Sequence, residues 1–306
     1  MTSDFQTYDL LAVGELLIDL LSNENNTLLQ DSQLFHKHPG GSAANLATNL
    51  AKQGKKTALV SCVGNDGFGH FLINELQQAG VATHAIRKDE AAPTSMAIIS
   101  RSDQTPDFIL YRAADKFIQL SQLPDQLLAN CRIFHTTCFA LSQQPARRSI
   151  LDAAKRAHHF GNQLTIDLNY AIELWPDRSE ATLVLEEFFK LKPWIKLSED
   201  DCQRLYGQRF QQEEALFSYL HGCGVPTICF TKGKAGCTIS TLKDGKQFFE
   251  APKVDKVDHA TGAGDAFWSG FIAAHLEGAS LTACVANANR IAAIKLQTFG
   301  PLPKLT

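Results

Sequence analysis

Short apolar segments alternate with helical patterns along most of this chain, and this alternation restricts the folds that the chain can adopt. Residues 57–63 have the pattern of a buried strand, residues 69–79 follow as a helix, and Gly80 ends that helix. The same order recurs between residues 133 and 167. Such repetition predicts a mostly parallel sheet with helices on both faces. Length alone allows one large or two smaller domains, and we expect a single α/β domain over residues 1–306.

Two segments interrupt this rhythm, at approximately residues 16–36 and 94–114. Both have the pattern of antiparallel strands with polar turns. In the second, the strand-like runs 96–100 and 108–111 flank a turn at 102–106, which predicts a hairpin. We expect the two segments to pair into a small antiparallel sheet above the main one. A sheet in that position would serve as a substrate lid.

The composition argues against several classes of partner and location. The 306 residues carry a net charge of −3 without a block of basic residues, so neither nucleic acid nor a membrane surface is indicated. No apolar run approaches the ~18 residues of a membrane span, and the first residues lack the pattern of a secretory signal. The eight cysteines are scattered without Cys-x-x-Cys. This favours buried thiols in a reducing cytoplasm over disulfides or metal ligands.

The segment Thr261-Gly262-Ala263-Gly264-Asp265 has the composition of an anion site at the start of a helix. Small residues let the main-chain N–H groups of Gly262, Ala263 and Gly264 approach an anion, and the helix dipole adds positive potential. In the first turn, Asp265 is placed to accept a proton from an attacking hydroxyl. Taken alone, the segment also fits an ordinary helix start that carries an acidic residue.

Two common nucleotide-binding motifs do not occur in the sequence. There is no G-x-x-x-x-G-K-[ST], which argues against a P-loop NTPase. Gly14-Glu15-Leu16 follows the first strand at the place where G-x-G-x-x-G would open a dinucleotide site. A dinucleotide-dependent dehydrogenase is therefore not indicated.

Four further polar or glycine-rich segments precede residues 261–265. They are, in chain order, Asp19, Gly40-Gly41-Ser42-Ala43-Ala44-Asn45, Gly64-Asn65-Asp66-Gly67-Phe68-Gly69 and Thr231-Lys232-Gly233-Lys234-Ala235-Gly236. Each is weak by itself, because a Gly-Gly pair before a helix is usually a tight turn and a lone Asp is usually solvated. Their order and spacing together are a strong signal.

In this order the chain resembles the PfkB (ribokinase-like) carbohydrate kinase family over nearly its whole length, and the fructokinase branch in particular. That branch is also similar at residues 14–19, at 111–115, at Leu174-Trp175 and at 196–201. The resemblance implies a ribokinase-like fold, in which a mostly parallel central sheet lies between helices and a small antiparallel β lid covers it.

The resemblance also implies roles for individual residues. The substrate-binding residues would be Asp19, Gly40, Gly41, Asn45, Arg112 and Asp265. The general base would be Asp265, and the catalytic main-chain donors would be Gly262, Ala263 and Gly264. The nucleotide-binding residues would be Ser198, Thr231, Lys232, Gly233, Gly236, Gly262, Gly264 and Asn289. Asp201 would organise Mg²⁺ through water.

Three positions depart from the family pattern. Ala171 stands where Asp-Pro-Asn-x-Arg has its arginine, so any anion contact of that residue is lost or supplied elsewhere. His259, preceded by Asp258, replaces an acid that can help to hold a monovalent cation. This argues against a K⁺ site, since neutral imidazole is a poor ligand for a hard cation. The hairpin segment after Arg112 is also shorter than in the usual fructokinase, which would change the fit to the sugar.

The resemblance implies an ATP- and Mg²⁺-dependent sugar kinase that phosphorylates a primary hydroxyl, with O6 of fructose as the expected acceptor. Alternative acceptors are 2-keto-3-deoxygluconate, whose acid group Tyr111-Arg112 would suit, a nucleoside such as adenosine, and an aminoimidazole riboside. A catalytically silent sugar-binding protein is a further alternative, which the intact Asp265 argues against. The expected partners are a small-molecule sugar and ATP, and the expected assembly is a monomer or a homodimer through the lid.

Overall fold

Strands and helices alternate along most of the chain, as the sequence predicts. The computed structural model describes residues 7–101, 107–207, 210, 212–254, 257 and 260–305. Its strands are β1 (Tyr8–Val13), β2 (Leu17–Asn25), β3 (Phe35–Gly40), β4 (Thr57–Gly64), β5 (Ile86–Asp89), β6 (Met96–Arg101), β7 (Phe108–Tyr111), β8 (Cys131–Thr137), β9 (Gln163–Asp167), β10 (Trp194–Ser198), β11 (Thr227–Thr231), β12 (Cys237–Thr241) and β13 (Gly245–Phe249). Its α-helices are α1 (Ser42–Ala51), α2 (Gly67–Gln78), α3 (Asp125–Ala129), α4 (Cys138–Leu141), α5 (Ala146–His159), α6 (Arg178–Phe189), α7 (Glu199–Tyr206), α8 (Glu213–Gly222), α9 (Ala263–Leu276) and α10 (Leu281–Leu296).

The main sheet has nine strands within the described residues, in the order β13-β12-β11-β10-β9-β8-β1-β4-β5. The strands from β11 through β5 in that order pair in parallel, whereas β12 and β13 add an antiparallel hairpin at one edge. The predicted mostly parallel α/β sheet is confirmed. Because the carboxyl ends of parallel strands share one edge, the loops that follow them gather there.

Helices cover both faces of the main sheet. Along β1, Leu10 and Ala12 pack into one apolar cluster, which includes residues of α1, α2, α9 and α10. The alternate residues Leu11 and Val13 pack into a second cluster, which includes residues of α5, α6, α7 and α8. All four side chains are fully buried. The two-residue period of a strand thus sends neighbouring side chains into cores on opposite sides of the sheet.

A second, small sheet has the order β3-β2-β6-β7 and forms the expected lid. The hairpin of β6 and β7 is confirmed by antiparallel pairing, in which Met96 lies opposite Tyr111, and its turn at 102–106 lies outside the described residues. β2 and β3 are also antiparallel, but β2 and β6 pair in parallel. A parallel pair needs a long crossover, and the chain supplies one through α1, β4, α2 and β5.

Two helices of the main domain begin at glycines with positive φ. Gly41 precedes α1 with φ of 99°, and a Cβ there would lie 2.4 Å from the main-chain oxygen of Glu15. Gly262 precedes α9 in the left-handed region, with φ of 78°. Only glycine adopts such angles readily. These two sharp turns bring the N-termini of α1 and α9 together.

Two further features bear on the expected environment of the protein. Seven of the eight cysteines are buried, as predicted. Among the described residues, none of the helices combines the length and the apolar character that a bilayer span requires.

Candidate active site

Asp265 lies in the first turn of α9 and is bound by two side chains of α1. Ser42 Oγ donates a hydrogen bond of 2.7 Å to Oδ1, and Asn45 Nδ2 donates one of 2.9 Å to Oδ2. Burial raises the pKa of the Asp265 carboxyl, while the Lys196 ammonium and the two hydrogen bonds oppose that rise. The junction of two helix N-termini therefore holds a carboxylate whose two oxygens have fixed orientations.

A small cavity beside the start of α9 brings four of the predicted residues together. Its lining includes Asp19 of β2, Gly40 of β3, Asn45 of α1 and Gly262. The lid and the main domain thus contribute to one cavity. A carboxylate and an amide can together bind several hydroxyl groups, and we call this space the acceptor cavity.

Gly40 has no room for a side chain, because a Cβ there would lie 2.4–2.5 Å from the carboxyl atoms of Asp19. Gly40→Ala is expected to displace that carboxylate and to lower kcat/KM by roughly 10²-fold, mainly through a higher KM for the acceptor. Steady-state kinetics measure both constants. Gly67→Ala at the start of α2 is the matched control, since a Cβ there meets nothing within 4 Å. Equal losses in the two variants would contradict a role for Gly40 in the cavity.

Glu15 is a buried acid of the site for which the sequence predicts no role. It is 1% exposed. Its Oε1 accepts hydrogen bonds from the main-chain N–H groups of Ser42, at 2.9 Å, and Ala43, at 3.4 Å. Its Oε2 accepts one of 2.7 Å from Thr137 Oγ1. Burial raises the pKa of Glu15 to about 7, against the hydrogen bond from Thr137. Glu15 therefore orients the first turn of α1, which carries the hydroxyl that binds Asp265.

Lys196 and Asp167 form a second buried charged group at the site. Lys196 Nζ donates to Asp167 Oδ2 at 2.8 Å and to Oδ1 at 3.0 Å. A Cβ on Gly264 would lie 2.9 Å from this ammonium, so the charge lies against the start of α9. Burial opposes the charged form of Lys196, but the neighbouring carboxylates, with Asp167 first, raise its pKa above its ordinary value. The sequence feature that could have identified Lys196 as a site residue is its position as a charged residue in the middle of the apolar strand β10.

Ser198 and Asp201 form a capping box at the start of α7. Ser198 Oγ accepts from the main-chain N–H of Asp201 at 3.1 Å, and Asp201 Oδ2 accepts from the N–H and the hydroxyl of Ser198 at 2.9 and 2.6 Å. Two otherwise unsatisfied main-chain donors are bonded in this way. Within the described part of the chain, no group of three or more His, Cys, Asp or Glu side chains is arranged to hold a metal ion.

Lys232, which the sequence assigns to the nucleotide, directs its side chain towards α8. Its Nζ donates to Glu213 Oε1 at 2.8 Å and to Thr238 Oγ1 at 2.9 Å. Glu213 Oε2 in turn accepts from the Thr238 hydroxyl at 3.0 Å. This network anchors the turn between β11 and β12 to α8, so the side chain of Lys232 already has partners within the protein.

Other predicted nucleotide residues lie at the end of β11, in the turn that follows it, and on α10. Thr231 ends β11, and Gly233 and Gly236 lie in the turn that leads to β12, both with positive φ. Asn289 lies on α10, and its Nδ2 donates at 3.3 Å to the main-chain oxygen of Glu250, which follows β13. Thr231 shares its edge of the sheet with Ser198, since the two are paired in register at the ends of β10 and β11.

Arg112 follows β7 and is paired within the protein. Its Nε donates to Asp115 Oδ2 at 2.7 Å, its NH1 donates to Ser142 Oγ at 2.8 Å, and its guanidinium lies 4.1 Å from the ring centre of Phe139. The charge is anchored beneath the lid, and its contact with a substrate stays a prediction. His259 and Asp258 lie outside the described residues.

Comparison with known proteins agrees with this arrangement. The family described as pfkB family carbohydrate kinase matches residues 8–305. The ATP-dependent 6-phosphofructokinase of Thermoanaerobacterium thermosaccharolyticum is 31% identical over 302 residues, which cover 99% of this chain and 92% of that protein. The structure of an uncharacterized sugar kinase from Pyrococcus horikoshii in complex with ATP has a TM-score of 0.83 at 30% identity, over 96% of this chain and 94% of that one. The structure of the fructokinase of Halothermothrix orenii has a TM-score of 0.80 at 32% identity, over 93% of this chain and 98% of that one.

The match to the family model covers nearly the whole chain, and both sheets of the ribokinase-like fold are present. The three relatives named above, each at 30% identity or more, are likewise matched over 92% or more of their own length. The chain therefore belongs to the pfkB family of carbohydrate kinases, which are phosphotransferases.

Proposed function

We propose that this protein is an ATP-dependent sugar kinase that transfers the γ-phosphate to a primary hydroxyl, and that its preferred acceptor is O6 of fructose. The observation that carries the proposal is the Asp265 carboxylate, which Ser42 and Asn45 hold at the start of α9. Asn45 and Gly262 connect this carboxylate to the acceptor cavity, since both line it. A base at an anion-binding helix start, next to side chains that line a cavity with a carboxylate and an amide, has the arrangement that phosphoryl transfer to an alcohol requires.

In the proposed reaction, the acceptor oxygen forms a bond to the γ-phosphorus while the bond from that phosphorus to the β–γ bridging oxygen breaks. Asp265 accepts the hydroxyl proton, and ADP leaves with the bridging oxygen. The N–H groups of Gly262 and Gly264 would bind the transferring group, because helix starts stabilise anions. The N–H of Ala263, the third predicted donor, already donates to the main-chain oxygen of Ala260 at 3.1 Å. The Lys196 ammonium, which lies against Gly264, would add a positive charge at the same place.

Asp201 is the proposed protein contact to Mg²⁺, through water. Mg²⁺ at phosphate sites commonly takes one or two carboxylates together with the substrate phosphates, so a single acid fits this use. Asp201 Oδ2 binds Ser198, which fixes the orientation of the carboxylate. When bound, Mg²⁺ would neutralise charge on the phosphates. Thr231, Gly233 and Asn289 are the proposed contacts to the nucleoside.

Fructose is the proposed preferred substrate because Asp19, Asn45 and the main chain of Gly40 line the same cavity. Their hydrogen-bond donors and acceptors suit a molecule with several hydroxyl groups. Fructose 6-phosphate is a second candidate, since the relative that is similar over 99% of this chain is named a 6-phosphofructokinase. Fructose and fructose 6-phosphate differ by one phosphate group. The charge of the residues that line the cavity would therefore determine which of the two acceptors binds.

Measurement of ADP release tests the proposal. The panel contains fructose, fructose 6-phosphate, 2-keto-3-deoxygluconate, adenosine and an aminoimidazole riboside, each with and without K⁺. We expect the highest kcat/KM with fructose. If ADP release is independent of every acceptor but a sugar still raises the melting temperature, the protein is a silent sugar-binding protein and the proposal is wrong.

The pH dependence of kcat/KM is expected to have an acidic limb near pH 7. Burial, and after it the charge of Asp265, raise the pKa of Asp19 to about 7 against the opposing effect of the Lys295 ammonium. Binding of hydroxyls and proton acceptance both favour ionised carboxylates, so kcat/KM falls as the pH drops below this pKa and levels off above it. A pH profile at constant ionic strength measures the limb. A profile that is flat down to the ordinary range of Asp would contradict the assignment.

Assembly and location belong to the same proposal. A homodimer through the lid would use β7, where Ile109 and Tyr111 are 45% and 56% exposed, and a monomer is the alternative. A cytoplasmic location agrees with seven buried cysteines.

A further inference from the structure

Lys295 of α10 is a buried cation that the proposed reaction does not use. The residue is 7% exposed and lines the acceptor cavity together with Asp19, Asn45 and Gly262. Its Nζ donates a long hydrogen bond, 3.5 Å, to the main-chain oxygen of Thr298. Burial of an ammonium is costly unless other groups compensate it, so its retention in a cavity points to a function for the charge.

The groups that face this ammonium come from three elements. Asp265 of α9 and Asp19 of β2 interact with it attractively, and both oppose the lowering of its pKa by burial. His38 of β3 also faces it, and the pKa of His38 is lowered by burial and by the neighbouring positive charges. Lys196 also acts on Asp265 through its positive charge. Lys295 is thus a cation of the cavity whose charge acts on both Asp19 and Asp265.

The stem of Lys295 passes under the helix start that would bind phosphate. A Cβ on Gly262 would lie 3.4 Å from Lys295 Cε and 3.9 Å from Asn45 Nδ2. The end of the Lys295 side chain therefore lies beside both the start of α9 and the acceptor cavity. A separate monovalent cation in this cavity would lie beside a charge of the same sign, so the residues present do not fit one.

We propose that Lys295 is the fixed cation of the acceptor cavity, which favours the ionised forms of Asp19 and Asp265 and makes the reaction independent of an added monovalent cation. The proposal rests on the proposed function only in taking Asp265 as the base. An ammonium has the single charge of K⁺ and three directed donors. Because it is tethered, it needs no binding step, and its occupancy does not depend on the salt concentration.

The test is Lys295→Met, which keeps a similar unbranched stem and removes the charge. The wild-type protein is expected to have the same kcat in K⁺ and in choline salts at equal ionic strength. In the variant the acidic limb of the kcat/KM profile moves to higher pH, by roughly one to three units, because a nearby cation lowers the pKa of a carboxyl. Addition of K⁺ or NH₄⁺ to the variant is expected to restore part of kcat.

A second measurement does not depend on turnover. In thermal unfolding, K⁺ or NH₄⁺ in place of choline is expected to raise the melting temperature of Lys295→Met and to leave the wild type unchanged, since only the variant has a cation site to fill. Lys52→Met is the matched control. Lys52 directly follows α1 and its Nζ donates to the main-chain oxygen of Leu302, so the loss of this lysine destabilises without creating a cation response.

Three outcomes would overturn the proposal. The first is a requirement of the wild type for K⁺. The second is a Lys295→Met variant whose kcat/KM profile has the same acidic limb as the wild type and whose melting temperature is the same in K⁺, NH₄⁺ and choline. The third is a variant that changes only the KM for an acidic or phosphorylated acceptor, which would make Lys295 an anion contact. If no acceptor is phosphorylated, the proposed function fails, whereas the melting temperatures still decide the role of Lys295.

Discussion

Asp265→Asn is expected to lower kcat by roughly 10²–10⁴-fold, because the variant cannot accept the proton of the acceptor hydroxyl. The fold should persist. The carboxamide oxygen can still accept the hydrogen bond from Ser42, and Asn45 can turn its own amide to present an oxygen to the new N–H₂ group. KM for the acceptor should change less than kcat, since proton transfer belongs to the transition state. Steady-state kinetics and a thermal melt of the same preparation measure both effects.

Asp177→Asn is the matched control for this variant. Asp177 is also an acid at a helix start, where it caps α6 by accepting from the N–H groups of Ser179 and Glu180. Asn caps helices as well as Asp does, so the control should retain both stability and kcat. A value of kcat for Asp265→Asn close to that of the control would falsify the assignment of the base.

Among the proposed variants, Lys196→Met is expected to lower the free energy of unfolding most, by about 3 to 5 kcal/mol. It is also expected to lower kcat. The change leaves the Asp167 carboxylate buried without its partner, and breaking a buried ion pair on one side costs this much. It also removes the positive charge that lies against Gly264, and loss of one such stabilising group commonly lowers kcat by roughly 10²–10³-fold. Urea denaturation measures the free energy of unfolding, and kinetics under conditions where the variant is folded measure kcat.

A double variant separates the two roles of Lys196. Asp167→Leu combined with Lys196→Met replaces both charges by apolar groups, which often restores stability. We expect stability to recover and kcat to stay low. Recovery of both would mean that Lys196 is only structural. Lys155→Met is the surface control: its ion pair with Glu187 is about half exposed, and such pairs contribute about 0–1 kcal/mol.

Local patterns in the sequence predict most of the main sheet. Residues 57–63 are predicted as a strand, and β4 spans Thr57–Gly64. Both β12 and β13 lie outside the predicted pattern. The antiparallel strand β13 carries exposed polar residues such as Lys246 and Gln247, so it lacks the apolar run of a buried strand. The parallel pairing of β2 with β6 is likewise a tertiary result, because no local pattern encodes which distant strand becomes a neighbour.

The candidate site divides in the same way. Asp19, Gly40, Asn45 and Gly262 are predicted from motifs and line one cavity in the structure. The buried charges are different. Glu15 and Lys196 are recognisable in the sequence as charges within apolar segments, but their partners are not: the hydroxyl that binds Glu15 comes from a residue 122 positions away, and the acid that binds Lys196 from one 29 positions away.

The sequence by itself determined the α/β class, the glycine-rich helix start with Asp265, and the family. These depend on residue type and short spacing, which restrict backbone conformation directly. Only the tertiary structure decided that the buried acid Glu15 lies at the start of α1 and that the buried cations Lys196 and Lys295 lie against the start of α9. The free energy of a buried charge depends on its distance from other charges and on the exclusion of water, and both are properties of the packed chain.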